Sequence, residues 1–146
     1  MPYIKIWVHL VWATKNREPY FNNKALRQKV WKHIKANAET KGIYLDCVNG
    51  YHNHVHCLMS LNVNQTIAKN VQLIKGECSS WINKENLIPF KFSWQKEYFA
   101  VSVSHSMVQK VRDYIHNQEN HHKKKSFDDE YNQFILKYGF QKFDDL

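Results

Sequence analysis

Four segments of the chain carry apolar side chains at every second position, the alternation that is typical of β-strands. They cover residues 4–12, 43–48, 53–61 and 98–104. The dipeptide Asn49-Gly50 stands between the second and third segments and favours a tight turn. The pattern therefore predicts four strands, of which the second and third form a hairpin.

Between and after these strands, apolar residues recur every three or four positions, as they do along the buried face of a helix. The first helix is expected to run from a cap at Asn23 to a terminating Gly42, and the second to follow a cap at Asn64. Ser106 begins a capping box and opens a third helix. A short terminal helix is expected around residues 129–138.

The resulting order of elements, β-α-β-β-α-β-α-α, restricts the fold. With one sheet and right-handed crossovers, it predicts an α+β, ferredoxin-like (RRM-like) antiparallel sheet with helices on one face and additional C-terminal helices. No repeat, linker or break in composition divides the sequence, so a single domain over 1–146 is expected. Because this fold serves many functions, the chemistry has to be inferred from the site.

The charge of the chain indicates an anionic partner. The sequence holds 21 Lys and Arg residues against 13 Asp and Glu residues, which gives a formal net charge of +8. Nucleic acid is the first expectation and a membrane surface the second. No apolar run approaches the ~20 residues of a spanning helix, and three cysteines without a signal segment fit a reducing compartment. We therefore expect a cytoplasmic protein with no membrane segment.

The third predicted strand carries paired histidines. His54 and His56 are two residues apart, so on a strand they share one face with about 6.6 Å between their Cα atoms. Two imidazoles at that separation can converge on one divalent ion, each nitrogen ~2.1 Å from it. The simpler alternative is a half-exposed strand whose polar side chains point to solvent. The strict alternation of polar and apolar side chains favours a site.

A metal site of this kind needs a third ligand from another element. On the third predicted helix, Tyr114 and Gln118 lie one turn apart on the same apolar stripe. The carbonyl oxygen of Gln118 suits a hard ion such as Mg²⁺ or Mn²⁺. His121, near the end of the helix, is a weaker substitute. A tyrosine on such a stripe can equally be a core residue whose hydroxyl reaches water.

Taken together, these residues resemble the single-tyrosine HUH transposases, the small enzymes of insertion sequences that move as single-stranded DNA. His54-Val55-His56 matches their histidine pair, and Tyr114 followed four residues later by Gln118 matches their nucleophile and glutamine ligand. The related REP-associated tyrosine transposases often place a histidine where this chain has Gln118. The similarity extends over nearly the whole chain and includes further stretches: His9–Arg17, Lys75-Gly76, Ser79-Ser80, Trp94-Gln95 and Tyr98-Phe99.

The resemblance implies a DNA transposase with a defined set of site residues. Tyr114 would cleave single-stranded DNA and rejoin it through a 5′-phosphotyrosine, excising and inserting an insertion-sequence element. His54, His56 and Gln118 would hold one Mg²⁺ or Mn²⁺. The DNA would end in hairpins formed by imperfect palindromes. Basic residues of two loops would bind its backbone: Lys15, Arg17, Lys123, Lys124 and Lys125.

The resemblance also implies an assembly. Members of the family work as homodimers, and in many of them the tyrosine helix serves the histidine pair of the partner, which makes the site composite. The polar break after the third predicted helix is compatible with such an exchange.

Two other functions stay open at this stage. His52-His54-His56 loosely resembles the histidine-triad nucleotide hydrolases, in which histidine attacks phosphate, although Asn53 interrupts the hydrophobic spacers of that pattern. The second alternative is a non-catalytic RNA-binding module of ferredoxin-like fold. It would need exposed aromatic residues on the central strands, and it gives no reason for the paired histidines.

Overall fold

A four-stranded antiparallel sheet organises the protein, in the order β2-β3-β1-β4, as seen in a computed structural model that describes residues 1–140 and Phe143. The strands are β1 (Trp7–Ala13), β2 (Tyr44–Gly50), β3 (His54–Ser60) and β4 (Phe99–Val103). The helices are α1 (Lys24–Thr40), α2 (Ile67–Lys84), α3 (Val108–His116), α4 (Gln118–His122) and α5 (Phe127–Tyr138). Strand order and crossovers are those of the predicted ferredoxin-like α+β fold, which is confirmed.

The main hydrophobic core lies between one face of the sheet and helices α1 and α2. Asn23 caps α1 by accepting a hydrogen bond from the backbone N–H of Leu26, at 3.0 Å. From there, apolar residues at helical spacing face the sheet. The residues of this core with the least exposure include Leu10, Trp12, Ile34, Val55, Cys57, Cys78 and Ile82.

The opposite face of the sheet is covered by α3, α4 and α5. Two small apolar clusters lie there, one around Leu58 and Ile115 and the other around Val11 and Phe127. Because side chains alternate along a strand, the residues of β3 that face away from the main core include His54 and His56. The two histidines therefore lie between the clusters, beneath the C-terminal helices.

Several boundaries differ from the sequence-based expectations. The first strand begins at Trp7, and Ile4 is 41% exposed. Asn49 and Gly50 belong to β2, so the hairpin turn lies at residues 51–53. The hairpin itself is confirmed, with β2 and β3 antiparallel.

The expected caps of the second and third helices were also wrong. Thr66, not Asn64, caps α2, because its side chain accepts from the N–H of Lys69. Helix α3 begins at Val108 after a 3-10 turn, with no side-chain cap, and the hydroxyl of Ser106 contacts the hydroxyl of Ser104 instead of the backbone. The register of the helices on the sheet is unaffected.

The expectation of a single domain over 1–146 stays a prediction, and residues 141, 142 and 144–146 lie outside the part that the structure describes. Across the described part, none of the helices is long and apolar enough to span a membrane.

Gly50, at the end of β2, offers a test of how tightly the hairpin holds the histidine strand. A Cβ there would collide with the carbonyl oxygen of His54 and lie 2.9 Å from Cα of Val55. We expect Gly50→Ala to destabilise the protein by ~1–3 kcal/mol, the usual cost of overpacking, as measured by urea unfolding.

Gly76 is the matched control for that substitution. It lies exposed in α2, and a Cβ there meets nothing within 4 Å. Gly76→Ala should stabilise the protein by about 0.5–1 kcal/mol through helix propensity. Equal stability of Gly50→Ala and the wild type would show that the hairpin is not packed as described.

Candidate functional site

The two predicted histidines lie side by side in a closed environment. The alternation of β3 directs both His54 and His56 to the face covered by the C-terminal helices, and both are 0% exposed. Their rings are 5.2 Å apart between centroids. The alternative of a half-exposed strand is therefore excluded, because these imidazoles are buried.

Gln118 joins the pair, although its helix is broken. The third helix ends at His116, and Gln118 begins the separate α4. Its Oε1 nevertheless lies 3.1 Å from Nε2 of His54, as the spacing from Tyr114 predicts, and 3.0 Å from Nε2 of His122. The amide nitrogen of Gln118 points back to the carbonyl oxygen of Tyr114, at 3.4 Å, which fixes the orientation of the amide.

Glu130 is at the centre of the site, and sequence reasoning missed it. It lies on α5 and is only 2% exposed. Its Oε1 is 3.1 Å from Nε2 of His56 and 3.7 Å from Nε2 of His54. Its Oε2 accepts a short hydrogen bond from the hydroxyl of Tyr114. A signal existed, because Glu130 shares one helical face with the apolar Phe127 and Phe134 and so was placed to be buried.

His122, which was not selected as a ligand from the sequence, belongs to the same cluster. The possible ligand atoms of His54, His56, His122 and Glu130 all lie within 4.8 Å of one another. His121 lies at the edge, with Nε2 at 2.9 Å from Oε2 of Glu130 and its side chain 25% exposed. It therefore contacts the carboxylate rather than replacing Gln118.

Each clustered imidazole has a partner on its far nitrogen, Nδ1. For His54 this is Oδ1 of Asn53 at 2.9 Å, and for His122 it is the carbonyl oxygen of Lys125 at 2.7 Å. For His56 it is Nε2 of His9, also at 2.9 Å. Hydrogen-bonded outer partners of this kind fix the tautomer and orientation of metal-binding histidines.

With these partners on Nδ1, the other ring nitrogen of His54 and of His122, Nε2, carries no proton in a neutral ring. We call these Nε2 atoms, which face the cluster, the inner nitrogens. Asn53 and Lys125 offer only oxygen acceptors, so Nδ1 of His54 and His122 must carry the proton in neutral rings. The Nε2 lone pairs of both rings then face Oε1 of Gln118, which is another acceptor. Acceptors that converge without a donor between them match the ligand set of a divalent cation, so these residues fit the metal that the sequence implied.

The electrostatics of His54 and His9 agree with neutral rings. Burial and the neighbouring His56 hold the pKa of His54 well below its usual range. Burial, again with His56, lowers the pKa of His9 to about 3, so His9 can accept a hydrogen bond from His56.

The pKa values of Glu130 and Tyr114 are moved in opposite directions. Burial alone would raise the pKa of Glu130, but its contacts with His122, His56 and His54 hold that pKa below the usual range. Burial raises the pKa of Tyr114, and the negative charge of Glu130 and the hydrogen bond to it raise it further. The carboxylate is thus ionised and the phenol protonated in this arrangement.

The basic residues expected to contact DNA lie in two segments that adjoin the cluster. Lys15 and Arg17 belong to the 3-10 turn that follows β1, and the carbonyl oxygen of Arg17 accepts from Asn53 at 3.2 Å. Lys123 and Lys124 are exposed, and Lys125 is half-buried; the three form the connection from α4 to α5.

Comparison with known proteins adds independent findings. The family model described as "Transposase IS200 like" matches residues 3–118. No curated protein sequence matches the chain. Among solved structures, a candidate transposase from Deinococcus radiodurans R1 is 22% identical with a TM-score of 0.64, over 80% of this chain and 93% of that chain. A REP-associated tyrosine transposase bound to a REP hairpin is 15% identical with a TM-score of 0.62, over 84% of this chain and 72% of that one. At these identities the two structures bear on the fold alone.

The donor cluster predicts binding of one divalent ion that depends on Glu130. We expect Glu130→Gln to weaken Mn²⁺ binding by roughly 10–100-fold, because an anionic oxygen is replaced by a neutral group at the same position. Binding would be measured from the electron paramagnetic resonance signal of free Mn²⁺, on chains shown to be folded by circular dichroism.

Glu119→Gln is the matched control, since Glu119 pairs with Arg27 and Lys24 outside the cluster. It should bind Mn²⁺ as the wild type does. Equal Mn²⁺ affinity of Glu130→Gln and the wild type would remove Glu130 from the ligand set.

Proposed function

Because the chain belongs to the IS200-like transposase family, we propose that it cleaves and rejoins single-stranded DNA through a covalent bond to Tyr114. The observation that carries this proposal is the hydroxyl of Tyr114, which donates to Oε2 of Glu130 while Oε1 of the same carboxylate faces His56. A nucleophile and a candidate metal site therefore meet at one buried carboxylate.

The position of Tyr114 supports its role over that of the other tyrosines near the site. Its ring lies edge-on to His56, with centroids 5.6 Å apart. Tyr131, on α5, lies beyond Phe127 and packs against Phe99, at 5.0 Å between centroids. Tyr51 stacks on His52, at 3.9 Å. Among these three, only Tyr114 directs its hydroxyl into the cluster.

The proposed reaction balances with groups of this chain and the DNA. The Tyr114 oxygen attacks the scissile phosphorus, an oxygen–phosphorus bond forms, and the bond from phosphorus to the 3′-oxygen breaks. Glu130 is placed to receive the phenolic proton, and the departing 3′-oxygen takes up a proton to become a 3′-hydroxyl. The phosphotyrosine keeps the energy of the broken phosphodiester, so the reverse attack by a 3′-hydroxyl rejoins the strand without a nucleotide cofactor.

We propose Mg²⁺ or Mn²⁺ as the bound ion, with His54, His56 and Gln118 as ligands and with Glu130 and His122 added to them. A bound ion would polarise a non-bridging oxygen of the scissile phosphate. The imidazole nitrogens favour Mn²⁺ over Mg²⁺, because Mg²⁺ prefers a shell of oxygens and water.

The DNA contacts are proposed on the basis of charge and position. Lys15 and Arg17 belong to the turn that Asn53 contacts, and Lys123–Lys125 follow His122, so positive charge from both segments adjoins the proposed position of the scissile phosphate. One structural neighbour, the REP-associated tyrosine transposase, is bound to a REP hairpin. We propose hairpin ends formed by imperfect palindromes as the DNA of this chain as well.

The assembly is proposed as a homodimer, as in the family, but with sites that are complete within one chain. Tyr114 reaches Glu130 and the histidine pair of its own chain. An exchange of tyrosine helices between partners is not needed to bring these groups together.

The alternative functions fit less well. A histidine nucleophile of the histidine-triad kind needs a ring nitrogen that is free to attack phosphate, whereas both ring nitrogens of His54 and of His56 lie within hydrogen-bonding distance of other side chains. An RNA-binding sheet needs an open face with aromatic residues on its central strands. In the described part of the chain, one face of β1 and β3 is covered by α1 and α2 and the other by α3–α5.

We expect Tyr114→Phe to abolish the covalent protein–DNA adduct while leaving fold and DNA binding intact, because only the hydroxyl is removed. The measurement uses labelled single-stranded DNA from the flanks of the gene, incubated with Mn²⁺ and run on denaturing gels. Tyr51→Phe is the control, because that tyrosine stacks on His52 and is not assigned to the reaction, and it should keep the adduct. Adduct formation by Tyr114→Phe would refute the assignment of the nucleophile.

A further inference from the structure

A cavity of about 350 Å³ opens beside the donor cluster, between the end of β1, the start of β4 and helix α5. Its walls include Arg17, Phe99, Phe127 and Tyr131. The ring of Phe127 stacks on His54, with centroids 4.2 Å apart and planes at 16°. A ligand in the cavity would therefore be separated from the candidate metal site by the thickness of one aromatic ring.

The cavity combines flat aromatic surfaces with the charged side chains of Arg17 and Glu97. The guanidinium carbon of Arg17 lies 4.4 Å from the ring centroid of Tyr131 and 5.5 Å from that of Phe127. The same guanidinium forms an ion pair with Asp128. Because its guanidinium already lies over aromatic rings, Arg17 can also present its flat face to a planar ligand.

Polar atoms line the same cavity and can form hydrogen bonds with the edge of a planar ligand. Asn16 and Gln95 both line it. Oε1 of Gln95 accepts from the backbone N–H of Asn16 at 3.0 Å, and the amide nitrogen of Gln95 remains as a donor. The cavity therefore offers aromatic rings on which a planar ligand can stack, together with the amide group of Gln95, which can donate a hydrogen bond to its edge.

The turn that contains Arg17 has a strained backbone, and a hydrogen bond from Asn53, the neighbour of His54, holds it in place. Asn16 and Arg17 have φ values of 57° and 55°, in the left-handed region that side chains other than glycine rarely adopt. Asn53 donates to the carbonyl oxygen of Arg17 at 3.2 Å, and its other side-chain atom, Oδ1, bonds to Nδ1 of His54. One asparagine thus ties the wall of the cavity to a metal-binding histidine.

From these observations, we propose that the cavity binds one unpaired nucleobase of the DNA strand, next to the phosphate that Tyr114 attacks. This inference rests on the proposed function for the identity of the strand. The base stacks on Tyr131 or Phe99, with Arg17 alongside and Gln95 at its edge. The cavity would then give the site a preference for the base next to the cleaved bond.

The test compares strands that carry the same phosphates with and without bases. Fluorescent homopolymers of each of the four bases, and an abasic strand of equal length, would be titrated against the chain in the Tyr114→Phe background, so that no cleavage occurs. Since stacking of one base on an aromatic ring has a large effect, the preferred homopolymer should bind roughly tenfold more tightly than the abasic strand.

Two substitutions should reduce that preference without changing the affinity for the abasic strand. Tyr131→Leu removes the ring but keeps apolar volume, and Arg17→Lys keeps the charge but removes the planar guanidinium. Tyr138→Leu, on the same helix and outside the residues that line the cavity, should leave the preference unchanged.

The outcomes separate the two proposals. Loss of the preference in Tyr131→Leu supports the base site even where no strand is cleaved by the wild type. Full preference retained in both Tyr131→Leu and Arg17→Lys overturns the base site, whatever the adduct assay shows for Tyr114. Equal affinity of the abasic strand and all four homopolymers also overturns it.

Discussion

The carboxylate of Glu130, on α5, contacts both the sheet and the other C-terminal helices and so links them. It is 2% exposed and touches His56 from β3, Tyr114 from α3 and His122 from α4. A buried charge without partners would be costly, so the carboxylate is tolerated only because imidazoles and a phenol surround it. The placement of α5 over the histidine face and the placement of the phenol therefore depend on one interaction.

The same carboxylate explains why a cation suits the site. Oxygen atoms of Gln118 and Glu130 and the inner nitrogens of the histidines converge, while the outer nitrogens are held by Asn53, His9 and the carbonyl of Lys125. Positive charge at that point would relieve the repulsion between lone pairs and lower the cost of forming a phenolate at Tyr114. In the proposed function, binding of an ion and activation of Tyr114 would therefore be parts of one electrostatic arrangement.

The features of the site that were predicted from the sequence are those that depend on the local periodicity of strands and helices. Alternation along β3 placed His54 and His56 on one face, and helical spacing placed Gln118 one turn beyond Tyr114, even though Asn117 breaks the helix. The contacts of Glu130 with β3 join residues 74 apart in the chain, and no local pattern specifies such a pairing. The matched family residues end at 118, so α5 and its glutamate lie beyond the resemblance as well.

We propose that Tyr114 and the candidate metal-binding residues act within one chain. The most direct measurement mixes a His56→Ala chain with a Tyr114→Phe chain and assays the covalent adduct with DNA, with the wild type as positive control and the formation of mixed dimers checked by mass spectrometry. A site held together by Glu130 within each chain predicts no adduct in the mixture, because neither chain contains both groups. Recovery of the adduct would mean that the tyrosine of one chain serves the histidines of another, and it would contradict the account.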